Sequence, residues 1–111
     1  AVAEFLGEAN LLAGDVREGL LHTVIGPIEV DAADGPATGL IRPEDLDLQL
    51  APGSPCRVVD VEYFGHDQRI TVDLGDGTRV KVRLHARHRF EAGSEVRLRP
   101  TAKTFVTFGP A

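Results

Sequence analysis

The sequence has no tryptophan, no methionine and a single cysteine, Cys56, among its 111 residues. One cysteine excludes an internal disulfide and favours a reducing compartment. Because five phenylalanines and one tyrosine are the only aromatic residues, the core has to be built mainly from valine, leucine and isoleucine. No apolar run approaches the roughly 18 residues that a membrane-spanning helix needs.

The motifs of several enzyme classes are also missing. The sequence has no phosphate-binding loop, no dinucleotide fingerprint and no nucleophile elbow. The closest histidine pair is His85 and His88, but a metal needs two further ligands, and the neighbouring arginines would oppose a cation. Adjacent His66 and Asp67 are typical of a turn in which the Asp67 carboxylate binds local backbone. We therefore expect no enzyme activity, catalytic residue, cofactor or metal site in this chain.

The charge is unevenly divided along the chain. The net charge of −5 combines ten acids and two bases in residues 1–50 with seven acids and ten bases in residues 51–111. This division predicts two surfaces of opposite sign. An acidic chain is a poor non-specific binder of nucleic acid, and we expect most of the aromatic residues to be needed in the core.

Glycine and proline recur at short intervals, and the segments between them alternate in hydropathy as strands do. The strands predicted on this basis are residues 11–17, 20–25, 28–30, 38–42, 57–64, 95–99 and 105–108, together with a hairpin inside 67–84. Residues 2–6 are expected to be the last turn of a helix. Glu44, Asp45 and Asp47 are expected to form a solvated acidic corner after Pro43. The pattern predicts an all-β fold, a small barrel or sandwich of short antiparallel strands.

Residues 52–55 are the one stretch that resembles a linker. They divide the chain into a front segment, 11–51, and a back segment, 56–111. Since neither segment has enough apolar residues for a core of its own, we expect the two to interlock.

The hairpin within residues 67–84 can be assigned a register. Alternating side chains place Ile70 and Val72 on one face, and a loop of three residues, Gly75, Asp76 and Gly77, sets Val72 opposite Val80. The same register pairs Ile70 with Val82, and Asp73 with Arg79. In the preceding strand, Val59, Val61 and Tyr63 are expected to share the apolar face.

Five segments, in order, resemble the transport-associated OB (TOBE) domain of bacterial ABC-importer ATPases of the polyamine, ferric-iron and sugar type. They are residues 5–16, 40–46, 58–67, 74–77 and 90–98. The second contains Arg42, Pro43 and Glu44, which are similar to the Arg-Pro-Glu signature of that family. We expect a structural role for the three, with Pro43 ending a strand and the charged pair tying neighbouring loops by hydrogen bonds.

The resemblance implies an OB-like β-barrel in residues 11–111, with residues 1–10 ending a linker from an ATPase domain. ATP and magnesium would bind in that missing domain. The implied partners are a second copy of the same domain, the ATPase domain and, through it, a membrane permease. The implied location is cytoplasmic, peripheral to the inner membrane.

Two other functions remain open at this point. Residues 8–16 faintly resemble oxyanion-binding modules for molybdate or tungstate, although Glu8 stands where a small hydroxyl residue would help. OB barrels also bind single-stranded nucleic acid, and the basic residues Arg79, Lys81, Arg83, Arg87 and Arg89 are the one feature that favours it.

Overall fold

The computed structural model describes residues 9–85, 87 and 89–101, and the backbone of residues 105–108. The expected helical turn at residues 2–6 lies outside this part of the chain. The strands in order are β1 (Asn10–Arg17), β2 (Leu20–Thr23), β3 (Gly26–Glu29), β4 (Gly35–Ile41), β5 (Leu46–Leu50), β6 (Arg57–Phe64), β7 (Asp67–Asp73), β8 (Arg79–His85), β9 (Val96–Pro100) and β10 (Phe105–Phe108). A 3-10 turn, Pro43–Asp45, joins β4 to β5. The all-β prediction is confirmed.

The strands form three antiparallel sheets. The first has the order β10-β4-β1-β2-β3, the second pairs β5 with β9, and the third has the order β6-β7-β8. Two of these pairings, β4 with β10 and β5 with β9, join a strand of the front segment to one of the back segment. The two segments therefore interlock, as the shortage of apolar residues in each predicts.

The hairpin of β7 and β8 has the register that the side-chain alternation predicts. Val72 pairs with Val80, and Ile70 pairs with Val82. The Leu74 N–H donates to the Thr78 carbonyl oxygen at 2.9 Å, which leaves three residues in the loop. Gly77 has a φ of 90°, a left-handed conformation that glycine adopts without a steric penalty.

One core lies between the sheets and consists mainly of aliphatic side chains. Its described aromatic member is Phe90, and Cys56 is buried at its edge. Val16, Leu21, Ile70, Val72, Val82 and Val96 are its most completely buried members, each at 0% exposure. The side-chain amide of Asn10 donates to the backbone carbonyl of Lys81 and accepts from its N–H. These two hydrogen bonds tie β1 of the first sheet to β8 of the third.

Strand β6 differs from its predicted pattern. The pairing with β7 shifts between Val58 and Asp60, so Val59 is an extra residue of a bulge. Val58 is 1% exposed and contributes to the core, whereas Val59 is 37% exposed. The expectation that Val59 shares the apolar face with Val61 is therefore wrong, because a bulge changes the phase of the alternation.

The acidic corner expected after Pro43 is also wrong in part. Glu44 and Asp45 lie in the 3-10 turn, but Asp47 lies within β5. Leu46 and Leu48 on either side of Asp47 are buried in the core. The Asp47 carboxylate is 3.5 Å from the Arg99 guanidinium on β9, so it belongs to a cross-strand ion pair.

Candidate functional site

The Arg42-Pro43-Glu44 segment forms the turn between β4 and β5. Pro43 begins the turn, where its missing N–H costs nothing, and its ring is buried. The Asp45 N–H donates to the Arg42 carbonyl at 2.9 Å, and the Thr101 N–H donates to the Asp45 carbonyl at 2.8 Å. Within the described residues, backbone bonds hold this turn, while the side chains of Arg42 and Glu44 are exposed without an ion pair.

A small pocket of about 160 Å³ separates this turn from the third sheet, and Pro43, Glu44, Phe64, Arg69 and Arg83 line it. Both arginines contact residues of the same sheet. The Arg83 guanidinium donates to the Asp67 carboxylate at 3.0 and 3.2 Å, and the Arg69 guanidinium lies 5.0 Å from the centre of the Phe64 ring. The pocket is therefore a joint between two elements. A structural role for the three signature residues stays a prediction, and no side-chain hydrogen bond of Arg42 or Glu44 occurs within the described residues.

His66 and His85 lie at strand ends: His66 in the turn between β6 and β7, and His85 as the last residue of β8. Asp67 does not bind local backbone as expected, because its carboxylate accepts two hydrogen bonds from Arg83 across the strands. The His85 Nδ1 is 3.8 Å from the other Asp67 oxygen, and His66 is exposed. His88 lies outside the described residues. No group of three or more metal-binding side chains occurs in the part of the chain that the structure describes.

Carboxylates stabilise the Gly75, Asp76, Gly77 turn. The Asp73 Oδ1 accepts from the Gly75 N–H at 2.7 Å, and the Asp76 Oδ1 accepts from the Thr78 N–H at 2.9 Å. The hydrogen bond from the Thr78 backbone, followed by that from the Thr78 side chain, lowers the pKa of Asp76 below its ordinary value. These bonds favour the ionised form, so the turn is most stable when Asp76 is charged.

We predict that Asp76→Asn destabilises the chain slightly at neutral pH, and that the difference disappears in acid. A carboxylate whose pKa is depressed by folding stabilises above its unfolded pKa of about 4, and this contribution is lost as the pH falls through the folded value. Urea midpoints of both proteins between pH 7 and 3 measure the difference. Asp60→Asn, at an exposed strand position, is the control. The prediction is contradicted if the difference in urea midpoint between wild type and Asp76→Asn stays constant down to pH 3.

Strand β6 ends in two exposed aromatic side chains. Tyr63 is 50% exposed and Phe64 is 48% exposed, so neither serves the core and the expectation that Tyr63 lies on an apolar face is wrong. The Arg89 guanidinium lies 5.4 Å from the centre of the Tyr63 ring. Since β6 is an edge strand of its sheet, the two rings and the two arginines beside them form an aromatic edge that another molecule can reach.

No helix in the described ranges combines the length and the hydropathy of a transmembrane segment. The model of the TOBE domain family matches residues 39–108. Two curated relatives are similar to most of the chain. The Fe(3+) ions import ATP-binding protein FbpC 3 of Rhodococcus jostii is 35% identical over 107 residues, which cover 89% of this chain and 31% of the relative. The Fe(3+) ions import ATP-binding protein FbpC of Pseudomonas fluorescens is 33% identical over 108 residues, covering 87% and 30%.

Proposed function

Because this chain belongs to the TOBE domain family, we propose that it is the non-catalytic accessory domain of the ATP-binding subunit of an ABC importer. The observation that carries the proposal is the family match over residues 39–108 together with the two relatives, both ATP-binding proteins of importers. The chain spans about a third of the length of these relatives. ATP and magnesium then bind in another domain of the parent protein.

The proposal gives the chain three partners: its own ATPase domain, the permease reached through that domain, and a second copy of itself. It assigns the domain to the cytoplasmic face of the inner membrane. The names of the two relatives make Fe(3+) the first cargo to test for the parent importer. One test is to determine the sequence upstream of Ala1 in the parent protein and to look there for a phosphate-binding loop. A second test is to measure ATP-dependent Fe(3+) uptake by the parent protein with and without residues 11–111.

We further propose that the domain regulates the parent ATPase by pairing with its copy through the aromatic edge. Tyrosine, phenylalanine and arginine are enriched at protein interfaces, and energetic hot spots favour tyrosine and arginine. Tyr63, Phe64 and the flanking Arg69 and Arg89 provide this composition on an edge strand. Edge strands also offer unpaired backbone groups for association.

We predict that the double variant Tyr63→Ser, Phe64→Ser weakens self-association of the chain by about tenfold or more, which is about 1.4 kcal/mol. Light scattering at rising protein concentration measures the dimer dissociation constant. The matched control is Leu20→Ser, Val24→Ser, which removes exposed apolar side chains from the other sheet region and should leave the constant within about twofold. A wild-type chain that stays monomeric throughout, or a control that weakens equally, rejects the aromatic edge as the dimer surface.

A further inference from the structure

A second surface feature lies between β5 and the end of β8, and it shares Arg89 with the aromatic edge. The two strands leave an open groove of about 810 Å³ between them. Its lining residues are Asp47, Leu48, Gln49, Leu50, Leu84, His85, Arg87, Arg89 and Phe90. Leu48 and Phe90 are buried, whereas Leu50 is 68% exposed, so the groove has an apolar floor that continues onto an exposed leucine.

One wall of the groove is the unpaired edge of β5. The Ala51 N–H donates to the backbone carbonyl of Glu95, and the Asp45 carbonyl accepts from the Thr101 N–H. Both hydrogen bonds are on the β9 side of β5. In an antiparallel ladder such residues alternate with residues whose backbone groups point the other way. The backbone of Leu46, Leu48 and Leu50 therefore points away from β9. Among the described residues β5 pairs with β9 alone, which leaves this edge open to a further strand.

A local hydrogen bond confirms the direction of that edge. The Leu48 N–H donates to the Oδ1 of its neighbour Asp47 at 2.9 Å, so this N–H is not part of the β9 ladder. The Leu50 N–H, two residues further along, points the same way. An edge that no strand covers, next to an exposed leucine, is a template for strand addition.

The other wall is positively charged. Arg87 is exposed and has no acidic partner within the described part of the chain. The Arg89 guanidinium lies over the Tyr63 ring, and no acidic side chain of the described residues forms an ion pair with it. His85 is 3.8 Å from Asp67. The acid of the groove, Asp47, is paired with Arg99 at 3.5 Å, so the wall has an excess of positive charge.

We propose that this groove binds an extended acidic segment of a partner protein, which adds to β5 as a strand. Backbone groups of the segment would pair with the Leu48 carbonyl and with Leu50, and its apolar side chains would pack on Leu50 and Leu84. Its carboxylates would face Arg87 and Arg89. Alternation in a strand sends successive side chains to opposite sides, so the ligand class is a peptide in which acidic and apolar residues alternate.

Fluorescence anisotropy with a labelled, end-blocked peptide of alternating glutamate and valine tests the proposal on the 111-residue chain. We expect saturable binding that weakens as salt is raised. Arg87→Glu should weaken binding by about tenfold or more, and Arg87→Gln by less, whereas the matched reversal Arg17→Glu on β1 should change it by less than about twofold. The Tyr63→Ser, Phe64→Ser variant should still bind the peptide, which separates this site from the dimer surface.

Two further arms identify the mode of binding. A peptide methylated on alternate backbone nitrogens should bind about tenfold more weakly if it adds as a strand, and the Leu50 amide should gain protection from hydrogen exchange with the unmodified peptide. The proposal is overturned by no binding of the glutamate-valine peptide, by equal binding of its lysine-valine counterpart, or by equal loss in Arg17→Glu. It is also overturned if molybdate or a labelled oligothymidine saturates the groove and the peptide does not.

Discussion

Gly14→Ala is expected to lower the free energy of unfolding by about 3 kcal/mol or more, since overpacking against atoms that cannot yield lies at the upper end of such costs. A Cβ at Gly14 would overlap the backbone carbonyl oxygen of His22 and lie 2.9 Å from its carbonyl carbon. It would also lie 3.3 Å from the Cδ1 of Leu21. Relief requires β1 and β2 to separate, which opens the core beside Leu21. Urea unfolding followed by circular dichroism measures the loss.

The control for Gly14→Ala is Gly93→Ala. Gly93 has a φ of +93°, and a Cβ there would meet nothing within 4 Å. This variant should cost only about 1–2 kcal/mol, the price of a left-handed backbone for an L-residue. The φ of Gly14 is not in the left-handed region, so its cost would be purely steric. Equal midpoints for the two variants would show that the close approach of β1 to β2 is not what requires glycine.

Asn10→Leu is expected to cost about 2–4 kcal/mol, because it leaves the half-buried backbone N–H and carbonyl of Lys81 without partners. The Asn10 Nδ2 donates to the Lys81 carbonyl at 2.8 Å, and its Oδ1 accepts from the Lys81 N–H at 2.7 Å. Asn10 itself is only 5% exposed. The amide thus takes the place of a neighbouring strand at the outer edge of β8. Denaturant unfolding gives the overall loss.

Hydrogen exchange distinguishes this role of Asn10 from simple packing. The Lys81 amide should exchange faster in Asn10→Leu even under native conditions, since it loses its acceptor. Gln49→Leu makes the same amide-to-leucine change at an exposed site and should alter stability by less than about 0.5 kcal/mol. If the Lys81 amide stays protected in Asn10→Leu, then water or another group has replaced the Asn10 side chain as its acceptor.

Local alternation predicts the hairpin of β7 and β8 in full. Its register follows from the sequence because the three-residue loop is the choice that keeps Ile70 and Val72 on the same face as Val80 and Val82. Contacts with distant segments are not needed to determine this register. The turn glycine at position 77 and the carboxylate of Asp76 then fit the geometry without further adjustment.

The errors have equally specific causes. Val58 and Val59 are both valine, so nothing in the alternation shows which of them is the extra residue of the bulge. Leu46, Leu48 and Leu50 of β5 alternate with polar residues as a strand requires, but the acids after Pro43 favour a solvated corner. Tyr63 was expected on an apolar face, and composition alone cannot tell that an edge strand leaves it half exposed.

The candidate surfaces depend on pairings between distant segments, which the sequence does not specify. The basic residues after β8 are visible as a cluster in the sequence, but the groove exists because β5 pairs with β9 and lies beside them. Likewise, the contacts of Arg89 with Tyr63 and of Arg69 with Phe64 need the meander to be folded. Residue types could therefore be predicted, but their neighbours across the sheets could not.

The exchange of strands between the two segments has a consequence for how the protein is made. Leu40 of β4 pairs with Phe105 of β10, more than half the chain away. During synthesis, the first sheet keeps one edge open until the ribosome has released almost all of these residues. Such late, non-local closure slows folding and exposes the nascent chain to misassociation. Co-translational protease digestion should accordingly find the front strands accessible until β10 emerges.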